Sequence, residues 1–247
     1  MNAHRLKYSL KIASLHLLVS IVVALLAAAL VWLGWYSWPY SQIFKVSGLY
    51  QLIIIVDVIC GPLLTFILGN PKKSYRETAT DVSLVAVIQL AALIYGLYAL
   101  YIVRPVAVVF EVDRFVALSA NEISEKRNFP TLGISSFAQK EPEDGSEKLA
   151  MLNFALQGNT TASNPDWWVE HSDETREKII SKARTLNQLT DSQPDKTSMI
   201  EELSIKHSTP ADQLPFLPFV STNNYDWISI LSPEGEIIDF AKINGFI

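Results

Sequence analysis

The sequence predicts a membrane protein in which a three-helix transmembrane bundle is followed by one α+β domain outside the membrane. Three observations support this fold class. Three long apolar runs lie within the first 103 residues, the remaining 144 residues are mostly polar, and this second part contains short β-branched runs and turn motifs. We therefore assign residues 1–103 to a membrane domain and residues 104–247 to a single outer domain.

The three apolar runs cover residues 12–35, 49–68 and 82–103. Each is close to the ~20 apolar residues that a helix needs to cross a hydrocarbon core of roughly 30 Å. Because lipid cannot hydrogen-bond the backbone, we expect all three runs to be helices. The first run is longer than the ~7 to 15 apolar residues of a cleavable signal core, so we expect it to be an uncleaved anchor.

Basic residues near the spans predict the orientation of the bundle. Three precede the first span and three lie in the loop between the second and third spans; they are Arg5, Lys7 and Lys11, and Lys72, Lys73 and Arg76. The loop between the first two spans contains only Lys45. Because basic loops tend to stay in the cytoplasm, we expect the N-terminus and the second loop there. The outer domain then lies outside the cytoplasm.

The two parts of the chain differ in charge. Residues 1–103 carry 7 basic and 3 acidic side chains, whereas residues 104–247 carry 13 basic and 22 acidic ones. The outer domain therefore has a net charge of −9. We expect it to bind no nucleic acid, because phosphate contacts need clustered lysine and arginine.

Residues that carry enzyme or metal chemistry are sparse. The only cysteine, Cys60, lies in the second span, which excludes an intramolecular disulfide and a thiolate metal cluster. The histidines (His4, His16, His171 and His207) show no zinc-ligand spacing, and the sequence has no phosphate-binding glycine loop. We predict that the protein is not an enzyme and has no catalytic residues, metal or cofactor. A catalytic triad assembled in space is the remaining alternative.

The second span contains the most informative polar residue. Asp57 lies at its centre, where an ionised side chain costs at least ~2.5 kcal/mol. Gly61 follows one helical turn later, and Pro62 removes a backbone donor, so a kink is expected. We predict that Asp57, Gly61 and Pro62 recognise a transmembrane helix of a partner. The alternative is an internal hydrogen bond from Asp57 to Gln89 or Ser83 of the third span.

Two further patterns concern helix packing and helix ends. Ala92 and Gly96 are small residues four positions apart in the third span, which predicts close helix packing. We favour packing within this bundle over a docking face for a partner. Thr78 and Asp81 stand in capping-box register, which predicts that the third helix begins there.

The outer domain begins with a strand pattern. Residues 106–112 are apolar and rich in β-branched side chains, and they follow Arg104 and Pro105 directly. Asp113 and Arg114 come next. We interpret them as an ion pair at the strand end, with ligand binding as the alternative. Together with Arg104, they are predicted to form a juxtamembrane hinge.

The rest of the outer domain mixes helical and extended patterns. We expect a helix from residue 119, a loop over residues 133–145 and a short helix over residues 197–207. Residues 214–220 include two prolines, which argues against a central strand. Residues 227–240 contain two apolar runs around a Ser-Pro-Glu-Gly turn, which predicts a hairpin.

Four segments of the sequence stand in a specific order. They are residues 57–65 (DVICGPLLT), 70–73 (NPKK), 89–98 (QLAALIYGLY) and 104–115, which contains RP and VFEVDRF. Together these segments resemble the TfpX/TfpZ type IV pilin accessory proteins. The resemblance covers roughly residues 10–125 and is specific because the segments occur in combination.

This resemblance implies an inner-membrane protein of a Gram-negative bacterium. With the orientation predicted from the basic residues, its N-terminus is cytoplasmic and its α+β domain is periplasmic. It implies that the protein helps its cognate major type IV pilin to be assembled or stabilised, and it implies no active site. The expected partners are that pilin, other inner-membrane components of pilus assembly, and membrane lipids. The alternative is a periplasmic ligand sensor or signalling protein that acts through a membrane partner. Only short cytoplasmic loops are predicted, which counts against a sensor.

Overall fold

The computed structural model of the chain describes residues 3–124, 128–222 and 224–246. The chain divides into two compact units, Met1–Arg104 and Pro105–Ile247. We call the first the membrane unit and the second the sheet unit.

The membrane unit is helical. Its described residues form the α-helices α1 (Ala3–Ala29), α2 (Tyr40–Ile43), α3 (Ser47–Ile54), α4 (Gly61–Leu68) and α5 (Tyr75–Ile102). Two π-helical segments complete it. The segment Leu30–Trp35 continues α1, and the segment Ile55–Cys60 joins α3 to α4.

Three continuous helices of this unit are long and apolar enough to cross a membrane. They are Ala3–Trp35, Tyr50–Leu68 and Tyr75–Ile102, with 33, 19 and 28 residues. At 1.5 Å per residue even the shortest is roughly 28 Å long, close to the thickness of a hydrocarbon core. The three predicted membrane helices are therefore confirmed.

The third helix begins earlier than its capping pattern predicted. Ser74 caps α5: its hydroxyl accepts a hydrogen bond from the backbone N–H of Glu77, and its own backbone N–H donates to the Glu77 carboxylate at 2.7 Å. The prediction that the helix begins at Thr78 and Asp81 is wrong, because Asp81 lies one turn inside the helix. Its carboxylate instead accepts a hydrogen bond from Lys73 at 2.5 Å.

The helices of the membrane unit meet at small residues and in an aromatic cluster. A Cβ atom on Gly96 would lie 2.7 Å from the side chain of Ile53, so only glycine allows α5 to approach the second span this closely. This agrees with the prediction of packing within the bundle. One turn further along the same helix, the buried Tyr36 hydroxyl donates to the carbonyl of Leu100 at 2.9 Å.

The sheet unit is built on one open, mixed sheet. Its described strands are β1 (Pro105–Glu111), β2 (Arg114–Ser119), β3 (Ser135–Gln139), β4 (Trp168–Val169), β5 (Arg184–Thr185), β6 (Pro215–Ser221), β7 (Asn224–Leu231) and β8 (Ile237–Ala241). The order is β4-β3-β1-β2-β6-β7-β8, and β5 also pairs with β6. The β1–β3 and β2–β6 pairs are parallel, and the other pairs are antiparallel.

The helices of the sheet unit are short. They are α6 (Gly145–Leu156), α7 (Asp173–Lys182), α8 (Asn187–Ser192) and α9 (Thr197–Lys206). Leu189 of α8 and Ile200 and Leu203 of α9 join one buried cluster with Phe216 of β6 and Ile228 of β7. These helices therefore cover the apolar side chains of the central strands, and the predicted α+β fold class is confirmed.

The strand β6 is central in the sheet although it contains two prolines, so the prediction against a central strand is wrong. The pairing along the edge of β6 that faces β2 and β5 explains how a central strand can contain Pro218. Along this edge β5 pairs with Pro215 and Phe216, whereas β2 pairs with Phe219 and Val220. Pro218 falls in the gap between these two short pairings, where no ladder hydrogen bond needs its missing N–H.

Other predictions for the sheet unit had mixed outcomes. The hairpin predicted over residues 227–240 is confirmed by β7 and β8, and the helix predicted over residues 197–207 is confirmed by α9. The strand β3 lies inside the predicted loop. The helix predicted from residue 119 is wrong for the residues up to 124, because Ser119 ends β2 and residues 120–124 form a turn and irregular structure; residues 125–127 lie outside the described residues.

Candidate functional site

The structure places Asp57 inside the membrane unit. Only 7% of its surface is exposed, and it lies in the π-helical segment Ile55–Cys60 at the middle of the second span. Both carboxylate oxygens are buried and have no hydrogen-bond partner within the described part of the chain. A buried polar group without a partner is rare and costly, above all at the centre of a membrane span.

Proline at position 62 gives a reason for the irregular backbone at Asp57. In a π-helix each carbonyl accepts from the N–H five residues later. For the carbonyl of Asp57 that residue is Pro62, which has no N–H. The side-chain amide of Gln89 supplies the missing donor, with its Nε2 2.7 Å from this carbonyl oxygen. A kink was expected at Pro62. The structure has a π-helical segment there, and Gln89 of α5 supplies the missing hydrogen-bond donor.

Glycine at position 61 makes room for this contact. A Cβ atom at Gly61 would lie 2.1 Å from the side-chain amide of Gln89, far inside any allowed contact. The three residues singled out in the sequence therefore act together around Gln89. Asp57 offers the carbonyl, Pro62 leaves it without a backbone donor, and Gly61 leaves space for the amide that takes its place.

The carboxylate of Asp57 does not take part in this arrangement. The alternative of an internal hydrogen bond to Gln89 holds only for the backbone of Asp57, because the Gln89 amide nitrogen binds the carbonyl oxygen. The Oε1 atom of Gln89 is also buried and unpartnered among the residues with described positions. The sequence indicated Gln89 as a possible partner of Asp57, but it could not show that the amide would bind the backbone carbonyl and not the carboxylate.

Two apolar cavities adjoin Asp57. One has a volume of about 210 Å³ and is lined by His16, Val19, Ser20, Val23, Asp57, Ala86, Gln89, Leu90 and Leu93. The other has a volume of about 180 Å³ and is lined by Leu52, Ile53, Val56, Asp57, Ala92, Tyr95, Gly96 and Ala99. Asp57 is the residue that they share. The surface of the bundle is therefore indented on both sides of its buried carboxylate.

Other polar contacts join the first and second spans. The Nδ1 atom of His16 lies 2.6 Å from the Thr65 hydroxyl. Toward the N-terminal end of α1, Ser9 donates to the carbonyl of Gly69 at 2.9 Å, and Arg5 donates to the same carbonyl at 3.3 Å. These residues were not predicted as contacts, because a lone polar residue in an apolar run does not identify its partner. Each of these groups has a hydrogen-bond partner, whereas the Asp57 carboxylate has none among the residues with described positions.

The residues of the predicted hinge lie in two different settings. Arg104 is buried, its Nη1 donates to the carbonyl of Tyr101 at 2.9 Å, and its guanidinium lies 3.9 Å from the centre of the Tyr101 ring. Asp113 and Arg114 form an ion pair at 3.0 Å in the turn between β1 and β2. The seven residues of β1 span about 20 Å, so this ion pair lies at the end of β1 opposite Pro105, where the strand begins.

The sheet unit contains a polar cleft of about 660 Å³. It is lined by Glu111, Arg114, Val116, Asn121, Glu122, Ala155, Gly158, Asn159, Thr160, Thr161, Ser163, Val220, Ser221, Thr222 and Tyr225. The carboxylate of Glu111 accepts hydrogen bonds from Thr160 and from the backbone N–H of Ala162, both at 2.9 Å. Glu122 accepts hydrogen bonds from the Ser119 hydroxyl and from Thr222. The carboxylates of the cleft thus already bind donors of this chain.

Metal-binding groups do not gather in this structure. The described residues contain no group of three or more His, Cys, Asp and Glu side chains that could hold a metal ion. His207 instead lies 2.9 Å from Asp239, and His171 lies 2.9 Å from the hydroxyl of Ser136.

Comparison with known proteins gives matches along the whole chain. The family model "Fimbrial assembly protein FimB" matches residues 4–45. The "Fimbrial assembly protein, serogroup I" of Dichelobacter nodosus is 37% identical over 260 aligned positions, which cover 100% of this chain and 99% of the relative. The serogroup E1 protein of the same organism is 38% identical with the same coverage.

A shorter relative has a higher identity over the part that it covers. The D. nodosus "Fimbrial assembly protein, serogroups C1 and C2" is 49% identical over 123 positions, which cover 50% of this chain and 94% of the relative. No solved structure is significantly similar to the chain.

Proposed function

Because this chain belongs to the fimbrial assembly protein family, we propose that it is an accessory protein of a type IV pilus, located in the bacterial inner membrane. In this proposal it assists the assembly or stability of its cognate major pilin by direct contact, as a membrane chaperone. It acts by binding and not by catalysis. The resemblance to the TfpX/TfpZ accessory proteins supports the finer assignment to a type IV pilus.

One observation carries this proposal. Two proteins named for fimbrial assembly are 37% and 38% identical to the chain over its full length, so the similarity includes the membrane unit and the sheet unit. Both units are therefore expected to serve the same role. Three helices able to span a membrane place that role at a membrane.

The charge pattern supports a topology for the proposal. Basic residues precede the first span and fill the loop before the third, whereas the part of the chain after residue 103 carries a net charge of −9. The N-terminus is then cytoplasmic and the sheet unit periplasmic. An accessory protein with this topology offers one unit to the transmembrane helix of a pilin and another to its periplasmic part.

Within the membrane unit, we assign recognition of the partner helix to the region of Asp57, Gly61 and Pro62. In this region the Asp57 side chain has no hydrogen-bond partner among the described residues and lies between two surface cavities, which supports a contact completed by a partner. We restrict the juxtamembrane hinge to Arg104, because Asp113 and Arg114 lie at the far end of β1 from Pro105.

A ligand sensor is the second candidate, and one observation favours it. The polar cleft of about 660 Å³ in the sheet unit is in the size range of small-molecule sites. In that case deletion of the gene would leave pilin amounts unchanged, and a small molecule would protect the cleft residues from hydrogen exchange.

Deletion of the gene in its own bacterium tests the proposal. We expect loss of most pilin from the sheared surface fraction, with the cellular pool retained or degraded. The strain is then complemented with the wild-type gene, with Asp57→Leu, or with Ser9→Ala, which removes a buried polar contact away from Asp57. Asp57→Leu should insert in normal amounts but fail to restore surface pilin, whereas Ser9→Ala should restore it.

The outcomes separate the general role from the assigned region. Unchanged pilin in both fractions of the deletion strain would contradict the role in assembly. Loss of pilin in the deletion strain together with full restoration by Asp57→Leu would remove Asp57 from the proposal and leave the role intact.

A further inference from the structure

When Asp57 is ionised, the region around it has more hydrogen-bond acceptors than donors. Three buried oxygen atoms, Oδ1 and Oδ2 of Asp57 and Oε1 of Gln89, have no hydrogen-bond partner in the ranges that the structure describes. The donor of Gln89, its Nε2, is already bonded to the Asp57 carbonyl at 2.7 Å. The nearby His16 has its Nδ1 atom 2.6 Å from the Thr65 hydroxyl, and it makes no hydrogen bond to the Asp57 side chain. Within the described residues, these three acceptors are therefore without a donor.

Because the unpaired acceptors include a carboxylate, they restrict which kind of donor group can bind here. A hydroxyl or an amide would supply one or two donors and would leave the negative charge of an ionised Asp57 uncompensated. A cationic nitrogen group supplies several N–H donors and a positive charge, and charged hydrogen bonds are about twice as strong as neutral ones. In lipid, where an isolated charge costs at least ~2.5 kcal/mol, such pairing is the usual solution.

Resting on the proposed function, we propose that Asp57 and Gln89 form an acceptor site for a cationic nitrogen group, such as a lysine ammonium, carried at mid-membrane depth by a transmembrane helix of the partner. The two cavities of about 210 and 180 Å³ beside Asp57 receive the apolar side chains that flank this group. Both carboxylate oxygens are covered in the free chain, so the Asp57 side chain turns toward a cavity when the partner binds.

A second copy of this chain does not supply the cation. The runs 12–35, 49–68 and 82–103 contain no lysine or arginine, and their one histidine, His16, already contacts Thr65 at 2.6 Å. Two copies in register would bring two Asp57 carboxylates together without a cation between them. The complementary group therefore belongs to a different protein.

Leucine-rich single-span peptides test the chemistry directly. The full-length protein is reconstituted in vesicles of phosphatidylethanolamine and phosphatidylglycerol, with a dye at its N-terminus. Energy transfer is measured to labelled peptides that carry lysine, serine or leucine at the central position. We expect the lysine peptide to associate about tenfold more tightly than the leucine peptide, the equivalent of one or two transmembrane polar contacts.

Two variants assign this preference to the site. Asp57→Asn keeps the shape of the side chain and an acceptor oxygen but removes the charge, so it should abolish the preference for lysine. Ser9→Ala should keep it. Circular dichroism and monodisperse elution of each variant verify that it is folded.

Three results would overturn the inference. They are equal association of the lysine and leucine peptides, equal association of the serine and lysine peptides, and a lysine preference that persists in Asp57→Asn. Because these measurements use no pilin, their failure would leave the role in pilus assembly standing. Failure of the deletion experiment would in turn leave the acceptor site standing.

Discussion

The two units of the molecule place their polar and apolar residues in opposite ways. In the sheet unit, Phe216 and Ile228 are completely buried. In the membrane unit, large apolar residues such as Leu33, which is 81% exposed, cover the surface, and buried positions include Ser9, Asp57 and Thr65. Removal of apolar surface from water holds the sheet unit together, whereas close packing and a few interhelical hydrogen bonds hold the membrane unit.

This difference teaches how to weigh a buried charge. Asp239 of the sheet unit is only 4% exposed, but Lys206 lies 2.6 Å and His207 2.9 Å from its carboxylate. Asp57 of the membrane unit is buried to a similar degree and has no partner for its carboxylate in the described chain. The carboxylate of Asp239 has its hydrogen-bond partners within the fold. The Asp57 side chain has none among the described residues, and for this reason we assign a function to it.

The largest expected effect comes from the core of the sheet unit. Phe216→Ala removes a fully buried ring from the cluster formed with α8 and α9, and we expect it to lower the free energy of unfolding by about 4 kcal/mol. Ile205→Ala, at a side chain that is 79% exposed, is the control and should change it by less than about 0.5 kcal/mol. Hydrogen exchange of β6 and β7 in the full-length protein in detergent measures both. Similar effects of the two variants would contradict a core made by apolar burial.

A smaller effect is expected where two helices meet in the membrane unit. Gly61→Ala places a methyl group on the Gln89 amide and should cost about 2 kcal/mol, because Gln89 is pushed off the Asp57 carbonyl. Gly48→Ala is the matched control, since no atom lies within 4 Å of the added Cβ. The two variants are compared by heating each in detergent and measuring by size-exclusion chromatography how much folded protein remains. A Gly48→Ala loss as large as that of Gly61→Ala would refute the contact-based account of this unit.

The smallest expected effect concerns the paired carboxylate Asp239. Burial alone would raise the pKa of Asp239, but hydrogen bonds from Lys206, His207 and the backbone N–H of Phe240 outweigh burial and lower it. Because the folded pKa lies below the unfolded value near 3.9, the stabilisation is present above about pH 4 and is lost as the pH falls through the folded pKa. Asp239→Asn should therefore cost about 1.5 kcal/mol at pH 7 and progressively less below about pH 4.

The control for this prediction is Asp195→Asn. Asp195 is exposed and contacts Lys196 at 3.4 Å on the surface, so its replacement should have almost no effect at any pH. Hydrogen exchange of the β8 amides, measured from pH 7 to pH 3, reports the stability around Asp239. A loss in Asp239→Asn that is independent of pH would mean that the charge of Asp239 does not stabilise this unit.

The sequence predicted the membrane unit better than the sheet unit, for a physical reason. A span is a long run of one kind of residue, and a charge within it, such as Asp57, is conspicuous. The strand β3 is five residues long, mostly half-buried and rich in serine, so it looked like a loop. The central position of β6 depends on the gap beside Pro218, which exists only once β2 and β5 are in place.

The contacts of the candidate site were also out of reach of sequence reasoning. Gly61 and Pro62 predicted a kink in the helix. The π-helical register and the hydrogen bond from Gln89 depend on the neighbouring helix and could not be predicted. The same holds for the contact between His16 and Thr65. In each case the residue type is visible in the sequence, whereas the direction in which the side chain points is set by packing between helices.

The π-helical segment Ile55–Cys60 also sets how the second span is rotated about its own axis. Before it, Ile53 packs against Gly96 of α5 and Tyr50 donates to the Ala24 carbonyl of α1; after it, Gly61 lies against Gln89 of α5 and Thr65 contacts His16 of α1. The second span therefore contacts both neighbouring helices on each side of the wider turn, and this turn sets the angular phase of α4 relative to α3. Deleting a single residue here would rotate α4 by roughly 100° against α3. The number of residues in this segment therefore fixes the rotation of α4 relative to α3, and side-chain substitutions would not reveal this constraint.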